Sequence, residues 1–265
     1  MAMRWRRIRR RLLLFLAVMG PGIITASVDQ DAGGITTYSV AGAQYGYTLL
    51  WSLPFIVVAL AVVQEMGTRM GVVTGLGLAD LIRQRFGLRI TLLAMLVLVL
   101  ANVANTASNF AGVAASLEIL DIRRHWSVPL TALLVFGLVV QGTYRLIERV
   151  FLAASALYVV YVVSALLAQP PWGTILRQTL RPTFSLQGGY LTTLITIVGT
   201  TIAPWMQFYL QSSIVDKGVL LRDLRLSQLD AYVGSLIAGL IAFFIIVACG
   251  ATLFANGIRV ETAKD

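Results

Sequence analysis

A pair of aspartates inside a long apolar run constrains this chain more than any other feature. Asp29 and Asp31 lie within residues 27–34 (SVDQDAGG), with an apolar run before them over 12–26 and a weaker amphipathic run after them over 35–43. Carboxylates at membrane depth are unfavourable, so they normally face a cavity or a partner. The pair therefore indicates a functional site, with an ordinary span whose aspartates sit in water at a helix end as the alternative.

The composition places the chain in a membrane. Its 265 residues are 58% hydrophobic and only 12% charged, with a mean hydropathy of +0.81, whereas a soluble domain carries about 25% charged residues. A net charge of +9 could suggest a nucleic-acid partner. The basic residues instead fall at the ends of apolar runs, where they set orientation. We therefore expect a lipid bilayer and no nucleic acid as the partner.

The spacing of the aspartates favours a broken helix. Residues two apart on an intact helix point about 200° away from each other. Asp29 and Asp31 could share one cavity only if the backbone between them leaves the helix. Gly33 and Gly34 would ease such a break, because glycine adopts conformations that other residues avoid. Broken helices at membrane depth occur where backbone lines a cavity, as in the binding sites of transporters.

The hydropathy pattern predicts about seven membrane-spanning helices. The first surrounds the aspartates and is an uncleaved span, and the others cover about 47–66, 88–117, 128–140, a stretch that ends near Leu167, a stretch from Tyr190, and 231–255. An amphipathic segment over 78–86 is predicted to lie along the interface. Residues 169–189 are predicted to form a polar loop, and 256–265 a polar tail.

The basic residues also predict an orientation. With the N-terminus in the cytoplasm, fifteen of the 21 lysines and arginines lie on the inner side and six on the outer side. This distribution obeys the positive-inside rule. We expect a multi-pass protein of the bacterial inner membrane with a cytoplasmic N-terminus.

The third predicted span carries a polar stripe. Asn102, Asn105 and Asn109 are spaced three and four residues apart and so share one helix face, beside Thr106 and Ser108. Such a stripe either joins neighbouring helices or lines an aqueous path. The pattern favours the first of these, and both stay open.

A second interruption is predicted in the sixth span. Proline has no N–H, so Pro204 cannot donate to the carbonyl of Thr200 four residues earlier. A carbonyl without a partner in the hydrocarbon zone must find water, a neighbouring group or a cation. A simple proline kink, with Thr201 or a neighbouring helix as substitute partner, is the alternative.

The two interruptions together predict a transport site. Interrupted helices in corresponding positions of two repeats are the best sequence indication of a midplane binding site. A carboxylate from one break and a free carbonyl from the other suit a hard cation. An anionic substrate is not favoured, because no basic residue lies near either break.

At these positions the chain resembles the NRAMP family of divalent metal transporters, which have a LeuT-like fold. The matching motifs extend over essentially the whole chain and are Gly20-Pro21-Gly22, Asp31-Ala32-Gly33-Gly34, residues 45–51 (YGYTLLW), Tyr144-Arg145 with Glu148-Arg149, and Ala203-Pro204-Trp205-Met206. The resemblance implies that Asp31 is the charged metal ligand and that Thr200 supplies a backbone carbonyl. It implies a transporter and not an enzyme, with the metal as substrate and no cofactor.

Two departures from the family pattern concern the metal. The metal-binding asparagine of the family is Gly34 here, and its metal-binding methionine is Ala203. Thioether sulfur favours soft metals, whereas Mg²⁺ prefers oxygen and keeps several waters. The pattern is similar to the NRAMP-related magnesium transporter branch, which also has the Ala-Pro-Trp-Met-Gln-Phe run. It implies transport of Mg²⁺, and of Mn²⁺, with Asp29 as an acceptor for a metal-bound water.

The candidate site residues form three groups. The metal group is Asp31, Thr200, Asp29, Gly34 and Ala203; the surrounding cavity group is Gly33, Pro204, Trp205, Gln207 and Gln211; and the polar stripe of the third span contributes Asn105, Thr106 and Asn109.

Proton coupling is not expected. Thr106 and Asn109 stand here at the positions where the family has acidic residues in its third span. Gln211 stands at the position of a histidine in the family's sixth span. None of these side chains titrates. The resemblance therefore implies uncoupled movement of Mg²⁺ or Mn²⁺, with a proton-coupled Mn²⁺/Fe²⁺ symporter as the alternative.

The resemblance also implies an incomplete pair of repeats within one membrane domain, 1–265. Residues 1–170 correspond to the first five-span repeat and 188–265 to the start of the second. We expect the missing C-terminal spans either on a longer chain or on a separate one. A non-transporting subunit or half-protein, a passive cation channel, and an intramembrane aspartyl protease are the competing hypotheses. The protease is disfavoured because it needs aspartates on two different spans.

Overall fold

The computed structural model describes residues 30–141, 156–186, 188–258 and 260. Asp29, most of the first predicted span, the Gly20-Pro21-Gly22 motif and the turn that contains Tyr144, Arg145, Glu148 and Arg149 lie outside the described residues. Helices and turns account for the described part of the chain, which contains no strand. The all-α prediction is confirmed.

The described part of the chain contains nine α-helices. They are α1 (Ala32–Tyr45), α2 (Ser52–Thr74), α3 (Leu78–Glu118), α4 (Arg124–Gln141), α5 (Val159–Leu167), α6 (Trp172–Leu180), α7 (Gly188–Thr201), α8 (Pro204–Asp216) and α9 (Leu224–Cys249). Short 3₁₀ turns at Ala156–Tyr158 and Leu221–Asp223 precede α5 and α9, and a π-helical turn at Gly250–Phe254 continues α9.

Several helices have the length and composition of membrane spans. Within the described ranges four stretches qualify, namely Ser52–Thr74, Leu78–Glu118, Gly188–Asp216 and Leu221–Phe254. Helices α5 and α6, bent by 119° relative to each other, would add a fifth if counted as one span. The predicted total of seven depends partly on residues outside this description and stays a prediction.

The second predicted span, 47–66, has the wrong bounds. Helix α2 begins at Ser52, after a turn at Gly46 (φ 57°), and Pro54 occupies its first turn, where a missing N–H does no harm. It then continues to Thr74 and ends at Gly75, whose φ of 64° suits a helix C-cap. Glu65 and Arg69, expected at its end, lie inside it, with Arg69 Nη2 2.6 Å from Glu65 Oε1. Helix α9 likewise begins at Leu224 and not at 231.

Gly87 divides α3 into the two segments that the sequence predicts. Its φ of 81° and ψ of 175° are non-helical and interrupt the hydrogen-bonded ladder between the amphipathic segment and the long apolar helix. Glycine is the residue that adopts such a φ without strain. The boundary between interfacial segment and span is therefore confirmed.

Part of the predicted loop over 169–189 is a helix. Residues Trp172–Leu180 form α6, whose Ile175 is buried against the rest of the protein. The prolines before it, Pro170 and Pro171, suit the start of a helix better than its interior. The prediction of an irregular loop is corrected on this point.

The hydrophobic core joins α1, α7 and α9. Tyr38 of α1, Ile197 of α7 and Ile245 of α9 are buried in one hydrophobic cluster. Gly42 allows α1 and α9 to approach each other closely, since a Cβ there would lie 2.6 Å from the carbonyl oxygen of Ile246. This packing fixes α1, which carries Asp31 at its start.

Candidate metal site between two helix breaks

Asp31 caps the N-terminus of α1. Its backbone is extended (φ −72°, ψ 179°), and its Oδ1 accepts a hydrogen bond from Gly34 N–H at 2.8 Å. Aspartate is favoured at this position because it satisfies an otherwise unpaired N–H. The positive end of the helix dipole also stabilises the negative charge. The carboxylate is thus held in one place at the end of a helix.

The two glycines do not form the break itself. Gly33 and Gly34 lie in the first turn of α1, and the bend falls at Gln30 and Asp31. The prediction that the two glycines ease the break through their backbone freedom is corrected, because both have helical conformations. A Cβ on Gly33 would lie 3.3 Å from Asp31 Oδ1. The glycine therefore leaves space around the carboxylate.

Gln30 anchors the bend from the other side. Its side chain donates through Nε2 to the carbonyl of Ala238 at 3.4 Å, and its own carbonyl accepts from Tyr158 Oη at 3.0 Å. These bonds tie the residue before Asp31 to α9 and to the turn before α5. No sequence pattern indicates either partner, because both are distant along the chain.

Asn109 connects the polar stripe of α3 to this break. Its Nδ2 lies 3.5 Å from Asp31 Oδ2, and its Oδ1 accepts from the Ala32 N–H at 3.2 Å. Asn102 and Asn105 line a cavity beside Asp31. The stripe therefore both joins helices and borders a cavity. Thr106 is exposed and is not among the residues that line this cavity.

The second interruption is a full break between α7 and α8. Helix α7 ends at Thr201, Ala203 is extended (φ −71°, ψ 137°), and Pro204 begins α8. Proline is well suited to the first helical position, because its missing N–H has no intrahelical partner there. The predicted interruption is confirmed.

A hydrogen bond joins the two broken regions. Tyr38 Oη lies 2.7 Å from Thr201 Oγ1, and Thr201 Oγ1 donates to the carbonyl of Ile197 at 2.7 Å. Because the threonine hydroxyl has a single hydrogen, the tyrosine is the donor of the first bond. Helix α1 is thereby fixed to the last turn of α7.

A cavity of about 170 Å³ lies between the breaks and α3. It is lined by Asp31, Leu98, Ala101, Asn102, Asn105, Gly199, Thr200, Ala203, Pro204 and Trp205. Several of the predicted site residues thus meet at one cavity. Among the described residues that line it, Asp31 supplies the only ionisable side chain, and the other polar side chains are neutral oxygen and nitrogen groups.

Two of the predicted cavity residues lie elsewhere. Gln211 donates through Nε2 to the carbonyl of Leu76 at 2.8 Å and packs against Gly71. Gln207 follows Pro204 by about one helical turn, and its side-chain nitrogen and oxygen are both buried with no hydrogen-bond partner in the described structure. Neither glutamine lines the cavity. Their predicted place around the metal stays a prediction.

The sulfur nearest in sequence to this cavity is bonded elsewhere. Met206 is fully buried, and its Sδ accepts from Gln64 Nε2 at 3.3 Å. Ser235 Oγ in turn lies 3.4 Å from Gln64 Oε1. Ala203, which lines the cavity at the second break, has no sulfur, and the other described residues that line the cavity have none either.

No group of three or more histidine, cysteine, aspartate or glutamate side chains occurs together in the part of the chain that the structure describes. The candidate site thus has a single carboxylate, that of Asp31, among the described residues that line its cavity.

A larger cavity of about 600 Å³ lies between α1, α3 and the end of α9. Along α3 the lining of the smaller cavity ends at Asn105, and that of the larger one begins at Gly112. The two helices touch where the cavities meet, since a Cβ on Gly112 would lie 2.5 Å from the Ala32 Cβ. Asn109 and Asp31 thus mark the boundary between the two cavities.

Comparison with known proteins finds relatives that are named as metal transporters. It is 30% identical over 263 residues to the divalent metal cation transporter MntH of Verminephrobacter eiseniae, a match that covers 92% of this chain and 58% of that protein. It is 27% identical over 267 residues to MntH of Deinococcus radiodurans, covering 97% of this chain and 59% of that protein. The chain thus spans less than two thirds of the length of these relatives.

Solved structures agree with the sequence comparisons. The Eremococcus coleocola manganese transporter in complex with an aromatic bis-isothiourea substituted compound superposes with a TM-score of 0.77 at 25% identity, over 94% of this chain and 52% of that one. A mutant form of the same transporter gives a TM-score of 0.78 at 25% identity, over 89% and 52%. The family described as natural resistance-associated macrophage protein-like matches residues 22–265. The chain belongs to the NRAMP family.

Proposed function

We propose that this chain forms the metal-binding part of a divalent cation transporter and that Asp31 is its charged ligand. The observation that carries the proposal is the Asp31 carboxylate, fixed at a helix N-terminus and facing a cavity between two broken helices. Such a position favours a substrate site at membrane depth. The names of the relatives, which are divalent metal cation and manganese transporters, support the substrate class.

The proposed substrate is a hard cation, Mg²⁺ or Mn²⁺, that keeps part of its water shell. A cavity of about 170 Å³ has room for about five waters at the roughly 30 Å³ each occupies in the liquid. We propose the Thr200 carbonyl, which Pro204 cannot bond, as a second ligand, and Asp29 as an acceptor for a metal-bound water. The alanine at 203 and the glycine at 34 supply space in place of side-chain ligands.

We propose that metal movement is not coupled to protons. The side chains of Asn109 and Thr106 do not titrate, and Asn109 is the group that contacts Asp31. A proton-coupled Mn²⁺/Fe²⁺ symporter is the second candidate, supported by the manganese transporter among the structural neighbours. Flux in liposomes loaded with a pH-sensitive dye separates them, since only the symporter acidifies the lumen as metal enters.

Calorimetric titration of Mg²⁺, Mn²⁺ and Cd²⁺ into the purified chain tests the binding site. We expect Asp31→Asn to abolish Mg²⁺ and Mn²⁺ binding, because it removes the one charge among the described lining residues. Asp80→Asn is the matched control, since Asp80 is exposed at the start of α3 and remote from the cavity lining. Equal loss in both variants, or unchanged binding in Asp31→Asn, would reject Asp31 as the ligand.

The chain spans 58% of the length of one transporter relative and 52% of the length of a transporter of known structure. We therefore propose metal binding for the chain itself, and transport for the complete protein that contains this site. We propose a cytoplasmic N-terminus and a bacterial inner membrane, supported by the excess of basic residues on the predicted inner side. Metal binding without flux by the isolated chain would favour the half-protein hypothesis.

A further inference from the structure

We propose that α6 and the loop after it form a binding site for the head group of an anionic glycerophospholipid. In this site Arg177 and Arg181 bind the phosphate. Phosphatidylglycerol is a lipid with such a phosphate and a net negative charge. The site lies apart from the metal cavity and does not depend on the proposed transport function.

Helix α6 has the position of an interfacial helix. It is bent by 119° from α5 and so does not continue that apolar helix along its axis. Ile175 is buried against the protein, while Trp172, Leu176 and Leu180 are exposed. These three side chains fall within an arc of about 80° on the helix. In a membrane protein such an exposed apolar face lies against lipid, with the polar face at head-group level.

The opposite face of α6 carries the polar groups. Arg177, Gln178 and Arg181 fall within an arc of about 100° that is turned away from the apolar face. They border a cleft of about 480 Å³ whose other lining residues are Thr174, Pro182 and Thr183. Neither arginine has an ion-pair partner among the residues that the structure describes. Two unpaired guanidinium groups at one cleft suit a phosphate, which they can bind through paired N–H donors.

The far wall of the cleft is fixed by tertiary hydrogen bonds. The carbonyl of Thr183 accepts from Trp51 Nε1 at 3.1 Å and from Tyr190 Oη at 2.5 Å. These bonds attach the loop after α6 to the segment before α2 and to the first turn of α7. The cleft is thus held between packed elements and is more than a pair of surface arginines.

The charge of the cleft indicates which head group it would take. Arg177 and Arg181 are both exposed, and the other side chains that line the cleft, among them Thr174 and Gln178, are uncharged. Phosphatidylglycerol carries a net negative charge on its phosphate, whereas the quaternary ammonium of phosphatidylcholine cancels that charge and would lie against two cations. The cleft therefore favours the anionic lipid.

The test measures lipid binding to the 265-residue chain purified in a non-ionic detergent, by native mass spectrometry of titrations with single lipids. We expect phosphatidylglycerol to bind about tenfold more tightly than phosphatidylcholine, since the charge-assisted bonds are lost with the neutral lipid. This comparison needs no variant, so equal binding of the anionic and the neutral lipid would overturn the site even if every variant misfolded.

Variants test the arginines. Arg177→Gln and Arg181→Gln should each weaken phosphatidylglycerol binding about tenfold, the effect of losing a charge-assisted hydrogen bond. Arg123→Gln is the control, because Arg123 is also exposed and without an ion-pair partner in the described structure, but lies in the loop between α3 and α4. Equal weakening by Arg123→Gln, or displacement of the lipid by millimolar inorganic phosphate, would overturn the lipid site.

Discussion

Asn109 hydrogen-bonds both to the carboxylate of Asp31 and to the backbone N–H of Ala32, at the start of α1. Its Nδ2 lies 3.5 Å from Asp31 Oδ2, while its Oδ1 accepts from the N–H of Ala32 at 3.2 Å. One amide thus orients the carboxylate and satisfies one of the unpaired donors of α1. A carboxylate in place of Asn109 could not do both, since an ionised carboxylate has no hydrogen to donate to Asp31.

Asn109→Leu should weaken Mg²⁺ binding about tenfold. Leucine has a similar size, but it removes a hydrogen bond to a charged group, and such bonds contribute about 1.5–3 kcal/mol. Calorimetric titration measures the change in affinity. Thr106→Val is the matched control on the same helix, because Thr106 is exposed and outside the cavity lining. If both substitutions had the same effect, Asn109 would have no specific part in positioning Asp31.

Ala203→Met should increase the ratio of Cd²⁺ to Mg²⁺ affinity. The new thioether would project from the second break, where Ala203 lines the cavity, and sulfur prefers the softer metal. Ala203→Leu adds similar bulk without sulfur and separates the chemistry from the change in volume. Competition titrations of the two metals give the ratio. A rise of equal size in the leucine variant would attribute the change to crowding.

Gly112→Ala should destabilise the protein by about 1–3 kcal/mol, the usual range for overpacking a tight contact. Its Cβ would lie 2.5 Å from the Cβ of Ala32. The double substitution Gly112→Ala with Ala32→Gly should restore most of the stability, since it returns one methyl group to the contact. Thermal unfolding in detergent measures the difference.

The control for this prediction is Gly137→Ala. A Cβ on Gly137 would have no atom within 4 Å, and alanine is the better helix former. That substitution should leave the unfolding temperature unchanged or raise it slightly. A failure of Ala32→Gly to rescue Gly112→Ala would mean that α1 and α3 are not in contact at this point.

Tyr38→Phe should lower stability by about 1 kcal/mol, the typical contribution of one buried hydrogen bond. It removes the donor to Thr201, whereas Thr201 keeps its own bond to the carbonyl of Ile197. Tyr232→Phe is the control, because Tyr232 is exposed on α9. Equal shifts of the unfolding temperature in the two variants would remove the proposed link between α1 and α7.

The second break was predictable because its cause is local. Proline lacks an N–H wherever it occurs, so Pro204 favours an interruption, and the structure has α8 begin at that residue. The non-helical φ of Gly87 likewise uses a freedom that glycine has and other residues lack. Such local signals favour a boundary without requiring one, since Pro129 lies inside α4.

The first break was predicted between Asp29 and Asp31, and the described structure begins α1 directly after Asp31. The glycines after Asp31 are helical, and Asp31 itself caps α1. The preference of aspartate for the N-cap is a local signal that could have given this result. The signal was obscured because a carboxylate in an apolar run suggests a ligand before it suggests a cap.

The partners of Gln30 and Gln211 could not be predicted from one sequence. Gln30 bonds to the carbonyl of Ala238 and Gln211 to that of Leu76, at sequence separations of 208 and 135 residues. Backbone carbonyls are present at every residue, so composition gives no hint of which one a side chain reaches. Tertiary packing decides these contacts, and it also decides that α6 is a helix.

The hydrogen bond from Gln64 to Met206 keeps a sulfur atom away from the candidate metal site. A thioether lies three residues after Ala203, so an inventory of the segment would count a soft ligand near the second break. The glutamine instead holds that sulfur in contact with α2. The proposed preference for a hard cation therefore depends on the direction in which this methionine points, which a survey of residue types alone would not show.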